Sequence, residues 1–324
     1  MNSRQRFLRT LSSDTPIRPP LFAEGMRDEV LQAWRDQGLP SSAHLEDIFN
    51  YDPFVELAPE IYPIPEIEDW SNLPQVLRLL RQRLNPNDER RLPEGWSEQV
   101  ETGSERDYPL FVRIHQGLFL SLGIYGWRSF KDAIQLLVDE PAFVEDVMAL
   151  QTSFAARLAE NMLRQAPFDA FIFSEPIAGN HGPLISPAMY RRFALASYQP
   201  LLDSLAERVP VRIWRSYANP GPLASEAVQA GFDALWLCET PPAAQLSASL
   251  RQQLDPQVGL IGGIDTDALY QGPQAIRQEI ESVLPLVRQG RFIPLADGRV
   301  REDISFENYR FYRQILEEMV MGAY

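Results

Sequence analysis

Two kinds of apolar pattern alternate along the chain. Short runs rich in β-branched and aromatic residues are followed by longer segments in which apolar residues recur every three or four positions. The short runs are typical of buried strands, and the longer segments are typical of amphipathic helices. Strands that alternate with helices form parallel sheets, because each helix carries the chain back to the start of the next strand. The pattern therefore predicts an α/β fold.

The number of short runs suggests how the sheet is arranged. Eight runs qualify as strands, at 19–23, 54–61, 110–115, 168–174, 209–215, 234–238, 258–261 and 291–295. Six helices are predicted at 141–165, 187–208, 222–230, 243–254, 272–288 and 305–321, several of them with proline in the first turn, where its missing N–H costs nothing. Eight βα units predict a (β/α)8 TIM barrel. We expect one domain over 1–324, with an N-terminal extension at about 1–17 and a polar excursion at about 85–108.

Composition narrows the classes of function. The 324 residues hold 44 acidic and 30 basic side chains and no basic segment, which argues against binding to nucleic acid. Cys238 is the single cysteine, so a thiolate metal cage is excluded, and its apolar flanks favour a core position. No run of about 18 apolar residues and no secretory leader is visible, so we expect a cytoplasmic protein without a membrane span.

Candidate chemistry follows the predicted strands, because a barrel forms its active site where its strands end. Four residues at these positions are predicted to be catalytic: Glu175, Arg215, Glu239 and Asp297. Eight more are predicted to bind substrate: Glu24, Arg27, His115, Gln116, His181, Tyr217, Asp265 and Arg299. So many charged side chains at the strand ends indicate a functional site at this end of the barrel rather than a purely structural role.

Structural alternatives remain open for several of these residues. His115 could be a core histidine, and a site of three histidines would need every histidine in the chain, so no metal site is predicted. Glu175 could cap a helix instead of pointing into the mouth, and Arg215 could pair with Glu239 or Glu175 instead of binding an anion. The chain contains no GxGxxG, GxxxxGK[ST], GxSxG or HExxH motif.

Four segments carry a resemblance to a known family. They are Gly-Pro-Leu-Ile-Ser-Pro-Ala-Met-Tyr at 182–190, Gly-Phe-Asp at 231–233 leading to Glu239, Leu-Ile-Gly-Gly-Ile-Asp at 260–265, and Asp-Ile-Ser-Phe-Glu-Asn at 303–308. Together with the opening stretch from 6–11 to 34–40, they resemble the superfamily of uroporphyrinogen decarboxylases and corrinoid methyltransferases. The resemblance implies a barrel and is compatible with a homodimer.

The chain departs from three sequence patterns of this superfamily. The methyltransferases hold zinc with a His-x-Cys segment, whose counterparts here are Arg215 and Tyr217. The decarboxylases carry an arginine-rich motif near the N-terminus, which has no counterpart in this chain. Many relatives end in an Asp-His pair, and here Asp297 is followed by Gly298.

The resemblance and the strand-end residues lead to three hypotheses. The first is a corrinoid-linked methyltransferase, in which Glu175 and Glu239 act as acid or base, Arg215 and Arg299 clamp an anionic substrate, and a corrinoid protein is the partner; zinc is the candidate metal. The second is a metal-independent decarboxylase, in which Arg215 holds a carboxylate and Asp297 stabilises a protonated intermediate. The third is a non-catalytic barrel that binds a metabolite. No bound cofactor is assigned.

Overall fold

The computed structural model describes residues 1–13, 15–124, 127–239 and 242–324. Within these residues the strands, in chain order, are β1 (Val55–Leu57), β2 (Leu110–His115), β3 (Ala170–Glu175), β4 (Ala178–Gly179), β5 (Gly182–Pro183), β6 (Val211–Tyr217), β7 (Ala234–Cys238), β8 (Gly259–Ile264) and β9 (Phe292–Ala296). The short strands β4 and β5 form an antiparallel hairpin that follows β3.

Helices separate the strands. They are α1 (Ser3–Ser12), α2 (Asp28–Asp36), α3 (Leu45–Ile48), α4 (Leu73–Arg83), α5 (Trp96–Thr102), α6 (Gly117–Ser121), α7 (Trp127–Asp139), α8 (Pro141–Leu163), α9 (Pro187–Tyr190), α10 (Ala196–Leu205), α11 (Leu223–Ala230), α12 (Ala243–Gln253), α13 (Thr266–Gln271), α14 (Pro273–Gln289) and α15 (Phe306–Met321). A π-helical turn, Arg191–Leu195, joins α9 to α10.

The main sheet has seven parallel strands in the order β1-β2-β3-β6-β7-β8-β9. The order follows the chain, as expected when each helical crossover leads to the adjacent strand. Beyond β9, Val300 forms a parallel bridge with Met26, and the backbone N–H of Asp52, shortly before β1, donates to the carbonyl oxygen of Leu21. The sheet is curled, and the segment 21–26 contacts residues near both of its edges.

The predicted strands and the observed strands agree except at the N-terminus. The α/β class is confirmed, and the predicted bounds at 110–115 and 234–238 match β2 and β7. The prediction of a strand at 19–23 is wrong, because this segment is extended but forms no ladder. Pro19 and Pro20 lack the N–H groups that a ladder needs. Similarly, β1 is shorter than the predicted 54–61 and ends before Pro59.

The N-terminal extension is an integral part of the core. Phe7 is fully buried, and Leu11 is 7% exposed. Both pack with apolar side chains that point inward from the strands, and the ring of Phe7 lies 4.8 Å from that of Phe111. Helix α1 thus packs against the end of the sheet where the strands begin and leaves the opposite end, where the strands finish, open for a site.

The excursion at 85–108 is anchored by buried arginines. The guanidinium group of Arg91 donates to four backbone carbonyl oxygens and lies over the ring of Phe154. Arg106 forms a fully buried ion pair of 2.8 Å with Asp169, just before β3. These contacts hold the excursion against the barrel helices. In the described part of the chain, no helix is long and apolar enough to cross a membrane.

Candidate functional site

A cavity of about 430 Å³, here called the central cavity, lies at the carboxyl ends of the strands. Its charged and aromatic lining residues are Glu24, Arg27, Phe54, Glu56, Arg113, Arg215, Tyr217, Trp236, Glu239, Asp297 and Arg299. An adjoining space of about 700 Å³, the outer cavity, shares Arg27, Glu239, Asp297 and Arg299 with it and adds Asp265. Eight of the twelve predicted site residues therefore come together at one mouth.

The inner wall of the central cavity is organised around Arg215. Its guanidinium group makes two hydrogen bonds to the carboxylate of Glu56, of 2.9 and 2.6 Å, and lies 3.9 Å from the centre of the Trp236 ring. Burial lowers the pKa of Arg215, but the Glu56 carboxylate outweighs it and the net shift is upward. The partner is thus neither Glu239 nor Glu175. The ring of Trp236 and the bidentate pair with Glu56 fix this guanidinium in place.

Arg113 adds a second positive charge to the same wall. Its guanidinium lies 4.0 Å from the Glu56 carboxylate, and its side chain is 39% exposed. Glu56 and Arg113 were not among the predicted site residues. Both lie inside predicted strands, where apolar neighbours suggested core positions, and only charge in an otherwise apolar run could have pointed to them.

Two acidic residues, Asp297 and Glu239, also line the central cavity. The carboxylate of Asp297 is almost fully buried and accepts hydrogen bonds from the backbone N–H and the hydroxyl of Thr266. Glu239 has a positive φ of 50°, and its backbone N–H donates to the carbonyl oxygen of Asp297 over 2.6 Å. Its exposed carboxylate has no hydrogen-bond partner within the described residues. Positive φ is rare outside glycine and is often retained at functional sites.

The rim of the cavities holds two exposed arginines, Arg27 and Arg299, which form no ion pair within the ranges that the structure describes. Asp265 has a clear structural role, because its side chain accepts from the N–H of Asp267 and caps α13. The rim therefore offers guanidinium groups to a ligand, while Asp265 is already engaged.

Glu24 and Tyr217 lie at the edges of the central cavity. The carboxylate of Glu24 accepts hydrogen bonds from the hydroxyls of Tyr309 and Tyr312 and pairs with buried Arg313. These three partners belong to α15, and they neutralise the charge of Glu24 and satisfy its oxygens. The Tyr217 hydroxyl lies 3.4 Å from the Ser174 hydroxyl. Glu24 thus supports the wall, whereas Tyr217 faces the cavity.

Glu175 lies in the interior and lines neither cavity. It is fully buried and accepts hydrogen bonds from the N–H of Leu118 and from the hydroxyls of Tyr198 and Tyr190, at 2.8, 2.7 and 3.3 Å. Burial raises its pKa to about 7, although these three donors oppose the shift. The expectation that its carboxylate points into the mouth is wrong, because close packing of Gly117 and the two tyrosines encloses it.

The remaining three predicted residues also lie away from the central cavity. His115 is buried between Phe173 and Tyr198, and burial lowers its pKa to about 3, so it is neutral at physiological pH. Gln116 is buried beside a smaller pocket. His181 is exposed after the β4 strand and lines neither cavity. The sequence placed these residues near strand ends but could not give their directions.

The donor set does not fit the zinc ion that the methyltransferases use. In the described ranges, no group of three or more His, Cys, Asp or Glu side chains could hold a metal ion. His115 already accepts from the N–H of Gly117 through Nδ1. Cys238 packs against the inner apolar cluster and also lines the central cavity, and burial of the thiol raises its pKa to about 12. We therefore derive no step through zinc.

Comparison with known proteins gives the family. The profile of the family described as uroporphyrinogen decarboxylase (URO-D) matches residues 121–295, more than half of the chain. The chain belongs to this family, as its sequence segments predicted.

The curated relatives match over shorter stretches. The uroporphyrinogen decarboxylase of Pseudomonas putida (strain GB-1) is 32% identical over 117 residues, which cover 34% of this chain and 30% of the relative. That of Pseudomonas paraeruginosa (strain DSM 24068 / PA7) is 25% identical over 172 residues, which cover 50% of this chain and 44% of the relative. The chain spans less than half the length of these relatives.

Among solved structures, xylanase B from Clostridium stercorarium F9 is similar with a TM-score of 0.40 and 9% identity, over 82% of this chain and 88% of that protein. Endo-glycoceramidase II from a Rhodococcus species is similar with a TM-score of 0.38 and 15% identity, over 93% and 80%. Neither similarity is strong enough to bear on the reaction.

Proposed function

We propose that this protein is a decarboxylase that acts on a carboxylated substrate in the central cavity. The observation that carries the proposal is the pair of guanidinium groups, Arg113 and Arg215, around the single carboxylate of Glu56. Two positive charges around one negative charge favour an anion, and a guanidinium matches the planar geometry of a carboxylate. The names of the curated relatives also support decarboxylation.

We also propose that the chain forms a single closed (β/α)8-type barrel. The contacts of the segment 21–26 with Val300 and Asp52, near the two edges of the seven-stranded sheet, support this closure. In such a barrel the segment would take the place of an eighth strand. The central cavity then lies at the mouth where barrel enzymes carry out their chemistry.

The charged residues of the cavity suggest how the reaction proceeds. Arg215 and Arg113 hold a carboxylate of the substrate that does not react. When an unsaturated, electron-rich carbon of the substrate takes up a proton from water, positive charge develops on the substrate, and Asp297 and Glu239 can stabilise it. The bond to the reacting carboxylate then breaks, carbon dioxide leaves, and the electron pair of that bond neutralises the intermediate. The carboxylate of Asp297 is fixed by the backbone N–H and the hydroxyl of Thr266, so it needs little reorganisation.

The test is release of carbon dioxide from uroporphyrinogen and from a panel of small unsaturated di- and tricarboxylic acids, before and after dialysis against a chelator. We expect Arg215→Ala to lower kcat/KM by about tenfold to a hundredfold, because it removes a charge-assisted contact worth about 1.5–3 kcal/mol. Arg215→Lys retains the charge, and Arg192→Ala changes an exposed arginine outside both cavities. Full activity of Arg215→Ala would contradict the proposal.

The other two hypotheses make different predictions in the same experiment. A methyltransferase would release no carbon dioxide and would instead remove the methyl group from a methylcorrinoid. This function stays a prediction, and the described residues offer no group of side chains that could hold zinc. A metabolite-binding barrel would bind a carboxylate of the panel through Arg215 without turnover.

A further inference from the structure

The rim arginines Arg27 and Arg299 belong to two extended segments that are paired through the parallel bridge between Met26 and Val300. Met26 and Val300 both pack against the large apolar core. Because successive side chains of an extended segment point to opposite faces, the neighbouring Arg27 and Arg299 point away from that core. Both arginines line the central cavity and the outer cavity, in agreement with this geometry. They therefore share one face at the junction of the two cavities.

The rim arginines form no ion pair with any described residue, although both side chains are exposed. By contrast, the exposed Arg191 and Arg192 each pair with a glutamate. The side chain of Arg299 lies over Gly25, where a Cβ atom would be 3.5 Å from its Cγ. Two unpaired positive charges at one junction repel each other, and an anion between them relieves this repulsion. The pair Arg27 and Arg299 is here called the rim clamp.

The carboxylates at the same mouth do not pair with the rim clamp. Asp297 is 2% exposed, and its carboxylate accepts from the N–H and the hydroxyl of Thr266. Glu239 lies over Gly298, where a Cβ atom would be 3.5 Å from the Cγ of Glu239. Because Arg313 neutralises Glu24, the other charged residues that line the central cavity carry one net positive charge: Arg27, Arg113, Arg215 and Arg299 against Glu56, Glu239 and Asp297. The central cavity therefore favours an anionic substrate.

The central cavity has two places for an anionic group of the substrate. One is the rim clamp, and the other is the pair Arg113 and Arg215, here called the inner clamp. A guanidinium pair stabilises a carboxylate, and this stabilisation disappears when the group leaves as uncharged carbon dioxide. A clamp on the reacting carboxylate would therefore stabilise the bound substrate more than the transition state and slow the reaction. Both clamps must hold carboxylates that do not react.

We propose that the substrate is a small tricarboxylic acid. One carboxylate binds to the inner clamp, a second binds to the rim clamp, and the third lies beside Asp297 and Glu239 and leaves. An unsaturated carbon takes up one proton, the bond to the third carboxylate breaks, and its electron pair neutralises the intermediate. The product is a dicarboxylic acid, which both clamps still hold. This inference rests on the proposed decarboxylation and names its class of substrate.

The size of the central cavity supports a small substrate. At about 30 Å³ for each water-sized group, about 430 Å³ holds about 14 non-hydrogen atoms. A six-carbon tricarboxylic acid has about 12 non-hydrogen atoms, whereas a tetrapyrrole such as uroporphyrinogen has about 60. The tricarboxylic acid fits the central cavity, and the tetrapyrrole is too large for it.

The test compares dicarboxylates with monocarboxylates of the same chain length in ligand-observed NMR titrations of the full chain. The pairs are succinate and butyrate, glutarate and pentanoate, and adipate and hexanoate, and none of these saturated acids reacts by the proposed route. Exposed ion pairs contribute modestly, so two of them at the rim predict that the dicarboxylate of the best-fitting pair binds about threefold to tenfold more tightly. Equal binding within every pair, or no binding of any probe, would overturn the proposal.

Variants assign each carboxylate to its clamp. The double variant Arg27→Gln and Arg299→Gln removes the rim clamp, and we expect it to bind both members of each pair equally. Arg215→Ala weakens the inner clamp, so it should weaken the binding of both members and keep the difference between them. The matched control, Arg9→Gln and Arg157→Gln, removes two exposed arginines outside both cavities and should keep the preference.

Two results with these variants would contradict the rim clamp. One is a preference for dicarboxylates that survives in the rim double variant, and the other is its loss in the matched control. Inorganic phosphate is titrated as well. Phosphate binding that only the rim double variant abolishes, without a preference for dicarboxylates, would assign the rim clamp to a phosphate group and overturn the tricarboxylic class.

The two proposals can fail separately. A preference for dicarboxylates that depends on the rim clamp, without release of carbon dioxide from any substrate, would overturn the decarboxylase and support the two clamps. Release of carbon dioxide from uroporphyrinogen or from dicarboxylic acids, but from no small tricarboxylic acid, would support the decarboxylase and overturn the tricarboxylic class.

Discussion

The buried carboxyl group of Glu175 should make the stability of this protein depend on pH. Burial raises its pKa from 4.5 to about 7, so the folded protein binds this proton more tightly than the unfolded chain does. The resulting stabilisation is fully present below pH 4.5 and is lost as the pH rises through about 7. Each tenfold change in proton affinity is worth about 1.4 kcal/mol, so the loss amounts to about 3 kcal/mol.

The substitution Glu175→Gln isolates this effect. The amide oxygen can accept from the N–H of Leu118, and the amide nitrogen can donate to Tyr198, whose hydroxyl also accepts. The variant therefore keeps the packing and carries no titrating group. We expect its free energy of unfolding, relative to that of the original protein, to rise by about 3 kcal/mol between about pH 4.5 and pH 9.

Urea denaturation followed by tryptophan fluorescence at a series of pH values measures this difference. Glu281→Gln, at an exposed position on α14, is the control and should show no such trend. A difference between Glu175→Gln and the original protein that does not change with pH would refute the reasoning, and so would the same trend in the control.

Two further substitutions test what holds the fold together. Asp169→Ala leaves the guanidinium of Arg106 buried without its carboxylate, and we expect a loss of about 3 to 5 kcal/mol in urea denaturation; a loss below about 1 kcal/mol would contradict this role of the pair. Phe7→Ala removes a fully buried ring from the end of the sheet that α1 covers, and we expect a similar loss of about 3 to 5 kcal/mol, measured in the same way; unchanged stability would mean that α1 is a peripheral extension.

The sequence predicted the central strands well because their apolar runs are buried on both faces. The run at 234–238 is apolar throughout, the run at 110–115 is buried except at Arg113, and their bounds match β7 and β2. Prediction was weaker where proline interrupts the pattern. The segment 19–23 has the composition of a strand, but its prolines leave it without a ladder. The helix α1 was missed because its apolar positions are few, although Phe7 and Leu11 are central to the core.

The candidate site was predicted in outline only. The rule that parallel strands finish at the same edge of the sheet predicted that Arg215, Glu239 and Asp297 lie close together, and all three line the central cavity. The rule could not reveal that Glu175 turns inward, because side-chain direction depends on the packing of Gly117 and the tyrosines around it. Nor could it find Glu56, which lies 159 residues before its partner Arg215 along the chain.

The sequence by itself determined the α/β class, the family, and the set of charged side chains at the strand ends, because each of these depends only on local sequence patterns and short motifs. Only the tertiary structure decided which charges meet. The pairing of Arg215 with Glu56 and the enclosure of Glu175 both depend on contacts between distant segments. Such contacts are set by the packing of the whole sheet and its helices, and no local pattern carries them.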